Sequence, residues 1–254
     1  TVHDKPQERD FVETAVFSSP DVDAVQARAR RAVMGLNAVL LVALGLACWG
    51  AFGWTAAVAM LALVVVEPTV VAHLPLVMTD LPVGITLVLA ALACGLLAWR
   101  WQWRWVLGAG VAIGLALASK HSALPAIAAL GLALLLLVVL AWAGQGWRQG
   151  FQRAVQFVSV VMLSGLVVWA GYGFQFHAGA DGSDHYNRPL ADKLEDLQSP
   201  LMARTLGLVD RSGVLPRPYV WGLADTVRAG VDGRGQAEHR LWGVDHPGHP
   251  PLHA

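Results

Sequence analysis

The chain has 254 residues, of which 56% are hydrophobic and only 14% are charged, and its apolar residues lie in long blocks. This composition excludes an ordinary soluble globular domain. The formal net charge is zero, so bulk charge provides no basis for binding nucleic acid.

Residues 1–32 are polar and carry mixed charges, which indicates an external segment next to the membrane. We expect 21–31 to form a short helix that lies on the membrane surface. Arg28, Arg30 and Arg31 directly precede the first apolar run, where arginines commonly extend to lipid phosphates. The alternative is that one of them holds an anionic lipid substrate.

Six apolar runs follow, each with close to the roughly 20 residues that a helix needs to cross a bilayer core of about 30 Å. In lipid, only a helix satisfies the backbone polar groups of such a run internally. The runs therefore predict an all-α integral membrane bundle of about six transmembrane helices over 33–172. The predicted spans are 33–50, 54–72, 81–99, 101–119, 122–142 and 154–172.

The basic residues of two short loops predict the orientation of this bundle. Arg100 and Arg104 lie in one loop, and Arg148 and Arg153 lie in another loop two spans later. Because cytoplasmic loops are enriched in Lys and Arg, we place both loops in the cytoplasm and the remaining loops outside. The N-terminal arginines then lie outside, against the rule, and we attribute this to their acidic neighbours.

The segment 67–80 places ionisable residues between two apolar runs. Proline discourages an uninterrupted helix, and the segment holds Pro68 and Pro75. A charge in mid-bilayer costs at least about 2.5–3.5 kcal/mol, so such groups usually lie at an interface or a cavity. We therefore predict a loop or re-entrant segment that faces a polar site at the membrane surface. Its ionisable residues are Glu67, His73 and Asp80.

Asp80 directly precedes the third apolar run and has two interpretations. As an N-cap, Thr79 or Asp80 would accept backbone N–H bonds worth about 1 kcal/mol. With Glu67 and His73 nearby in sequence, Asp80 instead favours a functional site. There, an external carboxylate would bind a divalent metal, orient an acceptor hydroxyl or act as a base.

A second candidate site is the turn 119–122, on the same predicted face as Asp80. Lys120 is either a cation that extends to lipid headgroups from a helix end or one that holds the phosphate of a lipid-linked donor. His121 either adds a hydrogen-bond donor there or is a passive interface residue.

The predicted external region, 173–254, contains two stretches with helical spacing of apolar residues. They indicate amphipathic helices that rest on the membrane or cover a cleft between spans. The first stretch comprises Leu190, Leu194, Leu197 and Leu201, and the second comprises Val220, Leu223 and Val227 after Pro218, with Gly230 and Gly233 as stop signals. His246 and His249 are a weak metal signal, and we predict no metal site.

The segment 67–80 resembles the second external loop of glycosyltransferase family 39, which includes protein O-mannosyltransferases and bacterial lipid A aminoarabinose transferases. Shared elements are an acidic residue with Pro68, then Ala72-His73, then Thr79-Asp80. The segment departs from the family form at Glu67, where Asp is commoner, and at Met78, which replaces Thr. Residues 114–122 resemble the family's Gly-Leu-Ala…Ser-Lys-x-Ser element, and 187–193 with 219–223 resemble an external segment of a bacterial branch.

This resemblance implies a GT-C-type inverting glycosyltransferase in a bacterial inner membrane. Such an enzyme moves a sugar from a polyprenyl-phosphate donor to a hydroxyl of a protein or lipid acceptor outside the cytoplasm. The substrate-binding residues would be Asp80, His73, Glu67, Lys120 and His121. The principal catalytic carboxylate of the family lies in the first external loop, of which 1–32 would be only the end. We therefore expect it upstream of Thr1, in a longer protein of which this chain is an inactive fragment.

Two other functions remain open at this point. A small-molecule transporter also contains intramembrane carboxylates and broken helices. In a non-catalytic membrane subunit, Asp80 would only cap a helix. The positions of Glu67, His73, Asp80 and Lys120 in three dimensions distinguish these functions, because a transferase requires them to line one external cavity.

Overall fold

The computed structural model describes residues 10, 13–14, 21–179, 181–182, 184, 189–197 and 199–231. Throughout these residues the regular structure is helical, and no β-strand is formed. Contacts divide the chain into a membrane unit that ends at Gln175 and a C-terminal unit that begins at Phe176. The predicted all-α membrane fold is confirmed, because several of the helices are long and apolar enough to cross a bilayer.

The first helix, α1 (Val22–Phe52), is longer than predicted. The expected surface helix over 21–31 and the first span form one continuous helix, because no proline interrupts residues 22–52. Gly53 ends α1 with a positive φ of 92°, a backbone conformation that favours glycine. The next helix, α2 (Trp54–Val66), follows directly.

The predicted span 54–72 is divided at Glu67. Glu67 adopts an extended backbone, and Pro68 occupies the first turn of a new short helix, α3 (Pro68–His73). The expected interruption by proline is therefore confirmed. Because α2 has only 13 residues, it is about 20 Å long and shorter than a bilayer core.

Four further helices complete the membrane unit: α4 (Asp80–Arg100), α5 (Trp103–Ser119), α6 (Leu124–Gly144) and α7 (Trp147–Gly171). A 3₁₀ turn, His121–Ala123, precedes α6, and α7 begins seven residues before the predicted run at 154. Of the described helices, α1, α4, α6 with its 3₁₀ turn, and α7 are long enough to span a membrane, while α2 and α5 are shorter. The count of six spans stays a prediction.

Small residues allow α5 to pack closely against α7. A Cβ added to Gly114 would lie 2.5 Å from the Cβ of Val167, and one added to Gly110 would lie 2.8 Å from the Cβ of Leu163. Ala109 and Ala116 of the same helix are completely buried. Such close contact is typical of membrane helices, whose association depends on van der Waals packing.

The described residues of the C-terminal unit form three helices: α8 (Leu190–Glu195), α9 (Pro200–Ser212) and α10 (Arg217–Val231). They surround a small apolar cluster of Leu190, Leu197, Leu206, Val220 and Ala224. The helix predicted after Pro218 is confirmed as α10, although it passes through Gly230. Gly233, residues 187–188 and the histidines of the tail lie outside the described residues.

The prediction that one helix carries the leucines from Leu190 to Leu201 is wrong. Leu201 belongs to α9, and 72% of it is exposed. The reason is local: Pro200 starts a new helix, and the hydroxyl of Ser199 caps it by accepting a hydrogen bond from the N–H of Met202 at 3.4 Å.

Candidate functional site

An ion pair joins two helix ends of the membrane unit. Nζ of Lys120 donates a hydrogen bond to Oδ1 of Asp80, 40 residues earlier in the chain. Asp80 is the first residue of α4 and Lys120 follows the last residue of α5, so the antiparallel arrangement of these helices brings the two residues together. Their side chains are 41% (Lys120) and 49% (Asp80) exposed, which leaves both charges open to a ligand.

The sequence makes this pair unusual. From residue 24 to residue 180, Glu67 and Asp80 are the only carboxylates. Thr79 makes no side-chain capping bond at the start of α4, and the carboxylate of Asp80 bonds to Lys120. Asp80 in the first turn also interacts favourably with the helix dipole, so its position is favourable whether or not it has a role in function.

Glu67 and His73 are bonded within their own short helix. Oε2 of Glu67 accepts a hydrogen bond from the N–H of Val70 at 2.8 Å, which caps α3, and Oε1 accepts from the hydroxyl of Thr69 at 3.1 Å. Nδ1 of His73 donates to the carbonyl of Thr69 at 2.7 Å. Neither side chain bonds to Asp80 or Lys120 in the part of the chain that the structure describes.

His121 begins the 3₁₀ turn directly after Lys120. The chain itself therefore places an imidazole next to the ion pair. Ser119, on the other side of Lys120, donates its hydroxyl to the carbonyl of Leu115 at 2.7 Å, which fixes the last turn of α5. Of the five predicted substrate-binding residues, the structure joins Asp80 to Lys120, with His121 adjacent, and holds Glu67 and His73 in α3.

Asn37 holds the segment 67–80 against α1, and sequence reasoning missed it. Its side chain is completely buried, and Nδ2 donates a hydrogen bond to the carbonyl of Leu74 at 3.1 Å. This bond connects the middle of α1 to the loop that precedes Asp80. The signal in the sequence was a single amide within the apolar run 33–50.

The C-terminal unit contains a second polar cluster, also missed. Asp184 accepts hydrogen bonds from Nη1 of Arg217 at 2.8 Å, Nδ1 of His177 at 3.0 Å and the N–H of Ala178 at 3.0 Å. Arg217 also donates through Nε to Asp210 at 2.9 Å. Asp184, Asp210 and Arg217 border a cleft of about 420 Å³.

The charges of this cluster shift each other's pKa values. Burial alone raises the pKa of Asp184, but the hydrogen bonds from Arg217, Ala178 and His177 outweigh burial and hold that pKa well below its usual range. The hydrogen bonds to Asp184 and Asp210 raise the pKa of Arg217. Asp184 and Arg217 are therefore both charged at neutral pH, and their ion pair holds the start of α10 in place.

No three His, Cys, Asp or Glu side chains of the described residues are grouped as metal ligands. His246 and His249 lie outside that part of the chain. Binding of a divalent metal by Asp80 was one of three alternatives for this carboxylate, and within the described residues the only charged partner of Asp80 is Lys120.

Comparison with known proteins shows the family of this chain. The family model described as dolichyl-phosphate-mannose-protein mannosyltransferase matches residues 2–181, well over half of the chain. The matched range contains helices α1 to α7 and the pair of Asp80 and Lys120. No curated protein and no solved structure matches the chain.

Proposed function

Because the chain belongs to the dolichyl-phosphate-mannose-protein mannosyltransferase family, we propose that it transfers a sugar from a polyprenyl-phosphate donor to an acceptor hydroxyl. The family is one of membrane glycosyltransferases of the mannosyltransferase type. Its name supports a mannosyl donor and a protein acceptor, and a lipid acceptor is the alternative. We place the reaction on the non-cytoplasmic side of a bacterial inner membrane, the side to which Asp80 and Lys120 are assigned by the basic loops.

The ion pair of Lys120 with Asp80 is the observation that carries this proposal. In sugar transfer, the bond between the anomeric carbon and the phosphate oxygen breaks, and negative charge develops on the departing lipid phosphate. A fixed cation at that position stabilises the transition state more than the ground state. Lys120 supplies such a cation at a helix end, the depth at which a lipid phosphate lies.

Asp80 acts in this scheme as a positioning residue. In the absence of donor, its carboxylate holds Nζ of Lys120, and the high exposure of both side chains allows a phosphate to compete for the same ammonium. The hydrogen bond from Asn37 to Leu74 keeps the preceding loop in place. Asp80 and His73 then border the sugar or the acceptor, and His121 adds a donor beside Lys120.

The proposal assigns the proton of the acceptor hydroxyl to a carboxylate base. The acceptor oxygen forms the new bond to the anomeric carbon as the phosphate leaves from the opposite face, which inverts the configuration. Resemblance to family 39 implies that this base lies in the first external loop. The roles proposed for Lys120 and Asp80 therefore concern the departing lipid phosphate and not the proton of the acceptor.

Transfer of a radiolabelled sugar from a polyprenyl phosphate, measured in membranes that contain the intact protein, tests this assignment. We expect Lys120→Ala to lower kcat/KM by about 100-fold, the loss typical of removing one charge-stabilising donor. Asp80→Asn should cause a smaller loss, because Lys120 remains but is no longer held in place. Lys120→Arg should restore part of the activity.

Arg148→Gln serves as the matched control, because it removes one positive charge from a different part of the membrane unit. It should leave transfer unchanged. Full activity in both Lys120→Ala and Asp80→Asn would contradict the assignment. Membership of a transferase family also favours this function over the transporter and the non-catalytic subunit.

A further inference from the structure

Four arginines gather at the end of the bundle opposite Asp80. Arg100 and Arg104 lie at the turn between α4 and α5, and Arg148 and Arg153 lie in the first turns of α7. The 21 residues of α4 separate this end from Asp80 by about 31 Å. No carboxylate occurs from residue 81 to residue 180, and none of the four arginines forms an ion pair with a described residue.

The turn between α4 and α5 is rigidly connected to α7. Trp101 has a positive φ of 46°, and its carbonyl accepts a hydrogen bond at 2.8 Å from Nε2 of Gln156, a completely buried residue of α7. The guanidinium of Arg153, one turn before Gln156, lies 4.8 Å from the centre of the Trp101 ring. These contacts fix the position of the turn and of the Arg153 guanidinium.

A second guanidinium is held in the same way. That of Arg104 lies 5.1 Å from the centre of the Trp105 ring. A guanidinium stacked on a ring keeps its N–H donors directed outward in its own plane, which suits the two oxygens of a phosphate. The guanidinium of Arg100 also lies 5.1 Å from the centre of a ring, but that ring belongs to Trp99, which is 73% exposed. The rings of Trp101 and Trp105 pack against the buried core of the bundle, so Arg104 and Arg153 present preoriented donors. Among the described residues, the exposed Arg148 of the same end has no such ring contact.

Exposed tryptophans place these arginines at the depth of lipid headgroups. Trp99, Trp103 and Trp147 flank the two loops and are 73%, 55% and 68% exposed, respectively. Tryptophan at such positions anchors a helix end in the interface between hydrocarbon and water. The occupant suited to uncompensated arginines at this depth is an anionic lipid headgroup.

We propose that the guanidiniums of Arg104 and Arg153 bind the phosphate of one anionic glycerophospholipid and that Trp101 and Trp105 hold them in the binding orientation. This site lies at the opposite end of α4 from the pair of Asp80 and Lys120 and does not depend on the proposed transferase reaction. The bound lipid bridges the turn between α4 and α5 to the start of α7, two parts of the chain that Gln156 also joins.

General attraction of basic loops to an anionic membrane would produce a different result. It depends only on the number of charges, so every arginine at this end would contribute equally, and the neutral ring under Arg153 would have no effect. Lipid binding at a discrete site instead depends on which arginine is removed and on whether an aromatic ring lies against its guanidinium.

Binding of spin-labelled phosphatidylglycerol to the purified intact protein in phosphatidylcholine nanodiscs distinguishes a discrete site from general attraction to the membrane. We expect Arg153→Gln to weaken binding roughly fivefold. Trp101→Leu should weaken it roughly threefold without any change of charge, because the stacking on Arg153 is lost, while Trp101→Phe should retain binding. Arg148→Gln is the charge-matched control and should cause a smaller loss than Arg153→Gln.

Three results would overturn the proposal: equal losses in Arg148→Gln and Arg153→Gln, unchanged binding in Trp101→Leu, or no preference for phosphatidylglycerol over spin-labelled phosphatidylcholine. Free glycerol phosphate should not displace the lipid, since displacement would indicate a soluble phosphate as the ligand. Helical circular dichroism verifies the fold of each variant. If Trp101→Leu does not fold, Arg153→Lys replaces it, because lysine keeps the charge without the planar stacking surface.

Discussion

The membrane unit and the C-terminal unit are stabilised in contrasting ways. In the membrane unit, α5 meets α7 through Gly110 and Gly114, and Glu67 and Asp80 are the only carboxylates from residue 24 to residue 175. In the C-terminal unit, short helices are joined by ion pairs around a small apolar cluster. Those pairs are Arg217 with Asp184 and Asp210, Lys193 with Asp225, and Arg228 with Asp196.

The contrast follows from what each unit can bury. Lipid is as apolar as a leucine side chain, so membrane helices gain from close packing rather than from leaving water. A small unit buries little apolar area, so charge-assisted hydrogen bonds contribute a larger share of its stability. In the membrane unit, a few side-chain hydrogen bonds instead connect distant parts of the chain, as Asn37 does with Leu74.

The largest effect should come from filling the contact between α5 and α7. Gly114→Leu places a side chain where even a Cβ would lie 2.8 Å from the backbone carbonyl of Ser164. We expect a loss of about 3 kcal/mol in the free energy of unfolding, measured by thermal unfolding in detergent. Gly131→Leu is the control, since nothing lies within 4 Å of its Cβ position, and an equal loss there would argue against tight packing at Gly114.

The next effect should come from the charged cluster of the C-terminal unit. Arg217→Gln leaves the carboxylates of Asp184 and Asp210 without their main donor, and both side chains are only 18% exposed. We expect the free energy of local opening of α10 to fall by about 2 kcal/mol, measured by hydrogen exchange. Arg204→Gln should change it little, because Arg204 forms no ion pair with any residue that the structure describes. Unchanged protection in Arg217→Gln would show that the apolar cluster alone holds α10.

Low pH should weaken the ion pair between Asp184 and Arg217. The pKa of Asp184 is lower in the folded state than its ordinary value of about 3.9, so the contribution of Asp184 is complete above that value and is lost as pH falls below it. We expect protection of α10 to be constant from about pH 7 to pH 5 and to decline below about pH 4. Asp184→Asn should remove most of this decline, and an identical decline in α4 would indicate global unfolding.

The smallest change in stability should come from Asn37→Leu. The substitution removes one hydrogen bond to the carbonyl of Leu74 and should cost about 1 kcal/mol. Transfer activity should fall more than stability does, because the loop before Asp80 loses its connection to α1. Ser159→Ala is the control, since among the described residues that hydroxyl bonds only to the carbonyl one turn earlier in its own helix. Equal activity in both variants would show that the loop needs no such connection.

Helix positions could be predicted from sequence better than helix contacts. The interruption near Pro68 and the helix after Pro218 were predicted because proline acts locally on the backbone. The assignment of Leu201 to the helix of Leu190 was wrong, because the start of a new helix at Pro200 outweighed a matching apolar spacing. The predicted surface helix before the first span was likewise absorbed into α1.

Prediction of the candidate site was less complete. Asp80 and Lys120 were singled out separately, and nothing in the spacing of residues 40 apart indicated that they bond. Asn37 and Gln156 were missed because a lone amide in an apolar run does not identify its partner. The cluster around Arg217 was missed because its members are far apart in the chain and each one alone resembles an ordinary surface charge.

Sequence alone determined that this protein is a membrane-embedded helical chain and where its backbone breaks, because side-chain hydropathy and proline act on their immediate surroundings. Tertiary structure decided which of the few polar groups meet. That outcome depends on the rotation and separation of packed helices, which Gly110 and Gly114 permit but which no local pattern encodes.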